Sequence, residues 1–210
     1  MDFWSALDDV RARWNVLEHP FYQRWSRGEL TLEELAGYAG QYRHAVAALA
    51  EASEDAAGMG DPRLTEHAGE ERSHVALWDG FVDAVGGDTE AAPLPQTEAC
   101  ARAWARPGRS PDATLAALYA IESGQPAVAE TKRAGLREHY GIDRPAALRY
   151  FDVHAERDHE HAALERALLE QRLDGADHEA LLAEAEAVLR ANWELLDGVE
   201  KSGHQSKRSL

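Results

Sequence analysis

The segment from about residue 146 to residue 173 constrains the fold more than any other part of this chain. It reads as one long helix bounded by Pro145 and the turn Asp174-Gly175. At 100° per residue it places His154, Asp158 and His161 at i, i+4 and i+7, on a single stripe. Phe151, Ala155 and Ala162 flank that stripe on one side and Tyr150, Leu164 and Leu168 on the other, so it lies where the core-facing surface should be. Glu156, His159 and Glu160 point away. Burying ionisable groups without partners costs several kcal/mol, so the stripe needs a cationic partner, for which a metal ion is the candidate. The alternative is a chance His-Asp-His pattern on a solvated face.

Two other segments offer matching groups. A helix of about 62 to 86 carries Glu71 and His74 at i and i+3, with His67 one turn further back, on the side shared by Leu64, Trp78, Phe81 and Val85. Glu70 and His67 stay open as alternatives to Glu71. A helix opening at Ser110-Pro111 places Leu115, Leu118, Tyr119 and Glu122 at i, i+3, i+4 and i+7, which sets a carboxylate on an apolar face. Pro126 cannot donate to the Glu122 carbonyl and Gly124 weakens the same turn, so a distortion is expected beside Glu122. The candidate ligands are therefore Glu71, His74, Glu122, His154, Asp158 and His161. Three imidazoles and three carboxylates suit two iron ions, with manganese possible, better than magnesium, calcium or a thiolate-bound structural zinc.

The rest of the chain agrees with an all-α fold in one domain. Leu, Ala, Glu and Arg dominate, and Gly and Pro fall mainly between periodic segments. Thr31-Leu32-Glu33-Glu34 has the capping-box pattern and opens a helix to about residue 57; Asp61-Pro62 opens the next. A helix near 97 to 106 follows a short connector, and a last helix of about 178 to 200 follows Asp177. The domain is expected to span residues 1–200, with 201–210 a disordered tail.

A formal net charge of -16 argues against nucleic acid or an anionic membrane surface as partner. No stretch approaches the roughly 20 apolar residues of a membrane span, and the first residues lack a basic-then-apolar leader, so the chain reads as cytoplasmic. Cys100 is the only cysteine and reads as a small core residue.

These motifs resemble the haem-oxygenase-like di-metal oxidases, in the superfamily of thiaminase II and pyrroloquinoline quinone synthase. The resemblance covers most of residues 15 to 195. It includes His19-Pro20-Phe21-Tyr22-Gln23-Arg24-Trp25, then Leu30, Tyr38 and Gln41-Tyr42, then Glu71-x-x-His74 with Trp78 and Phe81, then Glu122-Ser123-Gly124-Gln125-Pro126, and His154-x-x-x-Asp158-x-x-His161. It implies a bundle of about seven to eight helices, a homodimer, and a site that uses O2 to oxidise a small molecule.

Para-aminobenzoate synthases of the death-domain-associating type are an especially close match. They have tyrosines where Tyr22, Tyr38 and Tyr150 stand and a lysine where Lys132 stands. That resemblance implies Tyr22 as a sacrificed side chain and Lys132 as an amino donor. The chain departs from that subgroup at Ile121, where it has tyrosine, and at His67, where it has the first carboxylate; Glu71 is assigned from the Glu-x-x-His subgroup instead. Other readings are a thiaminase II-like hydrolase, which would need a cysteine nucleophile, a cofactor-free quinone synthase, and a non-catalytic binding protein.

Overall fold

A computed structural model describes residues 2–206, and these form nine α-helices and one 3-10 turn. In chain order they are α1 (Phe3–Arg13), the turn Val16–Glu18, α2 (Pro20–Ser26), α3 (Leu32–Ala57), α4 (Pro62–Val85), α5 (Pro95–Trp104), α6 (Pro111–Glu122), α7 (Gln125–His139), α8 (Pro145–Glu170) and α9 (His178–Ser206). There is no strand among the described residues, which is the all-α architecture the periodicity requires.

The helix boundaries follow local chemistry. Thr31 accepts from the Glu34 amide while the Glu34 carboxylate accepts from the Thr31 amide, closing a capping box at the start of α3. Asp61 caps α4 with Pro62 at its first position, and Gly86 ends that helix in the left-handed region at φ 71°. The distortion expected beside Glu122 is a full break: α6 stops at Glu122 and α7 begins at Gln125.

The far end of α9 differs from expectation. Residues 201–206, read from the sequence as the start of a tail, continue the helix. A contact the sequence does not reveal accompanies them: Gly203 lies so near α3 that an added Cβ would sit 3.1 Å from the Glu34 side chain. Residues 207–210 of the expected tail lie outside the described residues.

The core is continuous. α3 packs along α4 and also meets α5, α6 and α9; α8 is gripped by α4, α6 and α7; and α6 leans on α9. Trp25, Trp78, Trp104, Tyr22, Tyr38 and Phe81 are among its largest fully buried side chains. Trp78 ties α4 to α3 by donating from Nε1 to the Ala39 carbonyl at 2.8 Å. None of the helices is long and apolar enough to cross a membrane among the described residues.

Gly80 sets the approach of α4 to α8. A Cβ added there would lie 2.8 Å from the Ala146 carbonyl oxygen, a backbone atom that cannot rotate away. Alanine would gain about 1 kcal/mol in helix propensity but lose about 1–3 kcal/mol to overpacking. We expect Gly80→Ala to lower stability by about 1–2 kcal/mol in urea unfolding. A gain in stability would mean that α4 and α8 do not approach so closely.

Candidate metal centre

The site grows from three helices. On α4, His67, Glu71 and His74 follow one another at i, i+4 and i+7. On α8, His154, Asp158, His161 and Glu165 fall at i, i+4, i+7 and i+11. On α6, Glu122 is the last helical residue before the break. All eight are buried, with exposures between 0% for Glu165 and 5% for His161.

Their polar atoms crowd one centre. His74 Nδ1 lies 2.9 Å from Glu71 Oε1, and His67 Nε2 lies 3.1 Å from Glu122 Oε1. His161 Nδ1 faces Glu122 Oε2 at 3.6 Å, Asp158 Oδ1 at 3.7 Å and Glu71 Oε1 at 3.9 Å. The rings of His67 and His161 are 4.0 Å apart at their centroids, and those of His74 and His154 are 4.6 Å apart. Three overlapping sets place their donor atoms close enough to share a metal ion: Glu71, His74 and His154; His67, Glu71 and His161; and His67, Glu122 and Glu165.

Five of the six sequence-predicted ligands fall into these sets. Asp158 does not: its carboxylate holds His154 Nδ1 at 2.9 and 3.0 Å, fixing that ring from the side. Glu70 is likewise outside the sets. It accepts from His161 Nε2 at 2.9 Å and pairs with Arg157, leaving His161 Nδ1 free to face the cluster. A carboxylate behind a ligating histidine is a common way to fix tautomer and ring orientation. By spacing His67 is an alternative to Glu71, whereas in the structure both residues belong to the cluster. It missed Glu165, although residue 165 continues the 154/158/161 stripe by one turn.

The electrostatics are those of a site built for cations. Burial pushes the Glu122 and Glu165 carboxyls well above the carboxylate range, and nearby negative charge adds to it: Glu71 and Asp158 act on Glu122, and Glu122 acts on Glu165. Burial also works on Glu71 and Asp158. There it is outweighed by hydrogen bonds and charge from His74 and His154 on Glu71 and from His154 and His161 on Asp158, which hold both below the usual range. Of the eleven buried side-chain polar atoms without a hydrogen-bond partner among the described residues, nine belong to this cluster: two each on His67, Glu122 and Glu165, and one each on Glu71, His154 and His161. Buried polar atoms are ordinarily paired, so this concentration fits a metal centre and not a self-sufficient polar core. A cleft of about 200 Å³ lined by Arg11, Tyr119, Pro126, Asp158 and Arg166 reaches the cluster from the surface.

A second group lies beside it. Tyr22 and Tyr38 share a hydrogen bond between their hydroxyls at 2.8 Å, and Lys132 Nζ stands 5.6 and 5.5 Å from their ring centres. Tyr42 at 4.4 Å, Trp78 at 5.2 Å and Phe151 at 5.7 Å complete an aromatic box around the amine. Lys132 is 1% exposed, and burial alone lowers its amine to about 7. Tyr150 joins the two groups, with its ring 4.8 Å from Trp78 and 4.0 Å from His154. The structure thus brings Tyr22, Tyr38 and Lys132 together and sets Tyr150 between them and the cluster. Tyr42 and Trp78 are parts of the box that spacing did not single out.

A family model described as iron-containing redox enzyme matches residues 31–193, which include every residue of the cluster. This chain belongs to that family. As an iron-containing redox enzyme it is an oxidative catalyst that acts on a small molecule and uses O2. It is 34% identical to a 4-aminobenzoate synthase of Chlamydia muridarum, over 94% of this chain and 89% of that protein. It is 32% identical to one of Nitrosomonas europaea, over 95% and 92%. In three dimensions it resembles a haem oxygenase-like domain of unknown function from Shewanella denitrificans, with TM-score 0.79 and 20% identity over 99% of this chain and 95% of that one. A TenA homologue from Pseudomonas syringae has TM-score 0.81 and 15% identity over 95% and 91%. These two likenesses establish the haem-oxygenase-like fold. The cysteine that a thiaminase II-like hydrolase would need is not available: Cys100 is fully buried on α5, and burial pushes its thiol far up.

The Lys132 amine also makes a stability prediction. The folded protein releases this proton near pH 7 and the unfolded chain near the ordinary 10.5, so between the two the unfolded state binds more protons and stability rises with pH. Lys132→Met should therefore stabilise the fold by a few kcal/mol at pH 7, and the advantage should shrink towards pH 10. Urea midpoints of parent and variant at both pH values measure this; a pH-independent difference would contradict it.

Proposed function

We propose that this chain is a 4-aminobenzoate synthase that builds its product from its own side chains at a centre of two iron ions, with manganese able to replace iron. The observation that carries the reading is the Lys132 amine, enclosed with the Tyr22 and Tyr38 rings in a box that Trp78 and Tyr150 connect to His154 of the cluster. The similarity to two 4-aminobenzoate synthases over nearly the whole chain supports the same product.

Glu71, His74 and His154 would hold one ion, and His67, Glu122, His161 and Glu165 the other, with Asp158 at the edge of both as ligand or as support for His154. Charge favours two ions. The carboxylates Glu71, Glu122, Asp158 and Glu165 carry four negative charges when ionised, which two divalent cations balance while the imidazoles stay neutral. Bound there, the metals would supply a route by which O2 accepts electrons.

The side chains divide the remaining work. Tyr22 offers a ring with a carbon arm para to its oxygen: its Cα–Cβ bond would break, with O2 as the oxidant, leaving Cβ on the ring as the carboxyl carbon of the product and Cα on the chain. Lys132, with its amine lowered to about 7, presents a lone pair at neutral pH; its condensation at the ring carbon of the oxidised Tyr22 would expel the phenolic oxygen as water, and cleavage of Nζ–Cε, with Cε left as an aldehyde on the chain, would leave the nitrogen on the product. Burial keeps the Tyr22 phenol protonated, and the Tyr38 hydroxyl at 2.8 Å is placed to exchange that proton. The surrounding rings exclude water.

Metal analysis after anaerobic loading should give two iron equivalents per chain. His154→Ala and Glu165→Gln should each retain about one and keep their helical content; two equivalents in both variants would remove the assignment. After aerobic turnover with a reductant, the intact mass of the protein should fall by the parts of Tyr22 and Lys132 that leave, and Tyr22→Phe should release no 4-aminobenzoate. Product formation with an unchanged protein mass would favour the second reading, oxidation of an external small molecule at the same metals.

A further inference from the structure

None of the eight cluster residues is more than 5% exposed, so a cation reaches them only where their cover opens. The cover is thinnest at His161, the most exposed of the eight. Its Nε2 lies 2.9 Å from Oε2 of Glu70, a carboxylate outside the cluster whose side chain is 27% exposed. The other oxygen of Glu70 accepts from the Arg157 guanidinium. Arg157 also pairs with the exposed Glu160 at 2.6 Å and lies in the field of the exposed Glu66. It is partly exposed itself, and ion pairs of this kind are weak enough to open readily.

Charge separates this approach from the other one. The cleft that reaches the cluster between α1, α6 and α8 is lined by Arg11 and Arg166, whereas the acids that pair with them, Asp8 at 2.8 Å and Glu170 at 3.1 Å, do not line it. A divalent cation entering there meets two guanidiniums. At Glu70 it meets three carboxylates, Glu66, Glu70 and Glu160, which share the single guanidinium of Arg157. A surface of one sign gathers ions of the other and raises their rate of arrival. Glu70 has a second effect, because the same carboxylate that offers oxygen to a cation also holds the His161 ring in place. A cation that takes Glu70 therefore loosens the ring that closes the cluster.

We propose that ferrous iron enters the cluster past Glu70, with Arg157 as the latch. In the closed state Glu70 is divided between Arg157 and His161. When Arg157 swings out, Glu70 takes the incoming ion, the His161 ring is freed to turn, and the ion passes inward to Glu71 and Glu122, whose oxygens face His161 Nδ1 at 3.9 and 3.6 Å. The inference rests on the cluster being a metal centre and is independent of the synthase reading.

Cobalt(II) mixed anaerobically with the metal-free full-length protein in a stopped-flow spectrometer tests the route, with the visible absorption of bound cobalt as the readout. Glu70→Gln keeps an acceptor for His161 and removes the charge; its uptake rate should fall about tenfold or more while the final amount bound stays that of the parent. Arg157→Gln should speed uptake about threefold or more at the same final amount, and Arg166→Gln should leave the rate unchanged. Added salt should slow the parent more than Glu70→Gln. A parent-like rate in either Glu70→Gln or Arg157→Gln, each with parent helical content, would overturn the route and leave the metal centre standing, as would faster uptake by Arg166→Gln. A parent protein that binds no cobalt would remove the centre and the route together.

Discussion

Four carboxylates and four imidazoles meet inside a largely apolar bundle, and most of the fold can be read as the consequence of holding them there. Hydrogen bonding within the cluster satisfies only part of them. The Glu71–His74 and Asp158–His154 contacts each consume one pairing, while among the described residues the oxygens of Glu122 and of Glu165 have no donor except each other. In a medium that disfavours isolated charge, such a group either keeps protons on its acids or takes up cations. The helices make the second outcome geometrically available, because α4 and α8 each present a donor on nearly every turn of one face and α6 ends where Glu122 can reach between them.

The same bundle keeps a neutralisable amine next to those cations without bringing the two into contact. Among the described residues Lys132 has no carboxylate at hand, and its neighbours are ring faces, which tolerate the cation but do not replace its hydration. A lysine paired with an acid would stay charged and unreactive at neutral pH. Tyr150, tilted over His154 and edge-on to Trp78, links the box to the cluster.

Much of this was legible in the sequence because helical spacing is a strict ruler. The stripe through His154, Asp158 and His161 could be drawn from residue numbers, and so could the inward faces of Glu71, His74 and Glu122. Glu165 obeyed the same ruler but sits in a charged stretch beside exposed Arg166 and Glu170, where a buried acid looks like a surface one. Spacing alone could not choose between His67 and Glu71, since the choice depends on how far α6 reaches, and in three dimensions both face the cluster. Nor could it tell Asp158 as a metal ligand from Asp158 as the support of His154, a distinction of side-chain rotation and not of position. The box around Lys132 draws on α2, α3, α4, α7 and α8, and a contact made by five helices leaves no periodic mark on any one of them. The last turns of α9 escaped for a related reason, since Gly203 reads as a breaker until α3 is seen packed against it.

The central claim, that these eight side chains exist to bind two metal ions, is tested most directly by diffraction from crystals loaded anaerobically with ferrous iron, using anomalous scattering at the iron edge. Two peaks are expected, one among Glu71, His74 and His154 and the other among His67, Glu122, His161 and Glu165. An ordered cluster without an iron peak, or with iron bound only elsewhere on the chain, would contradict it.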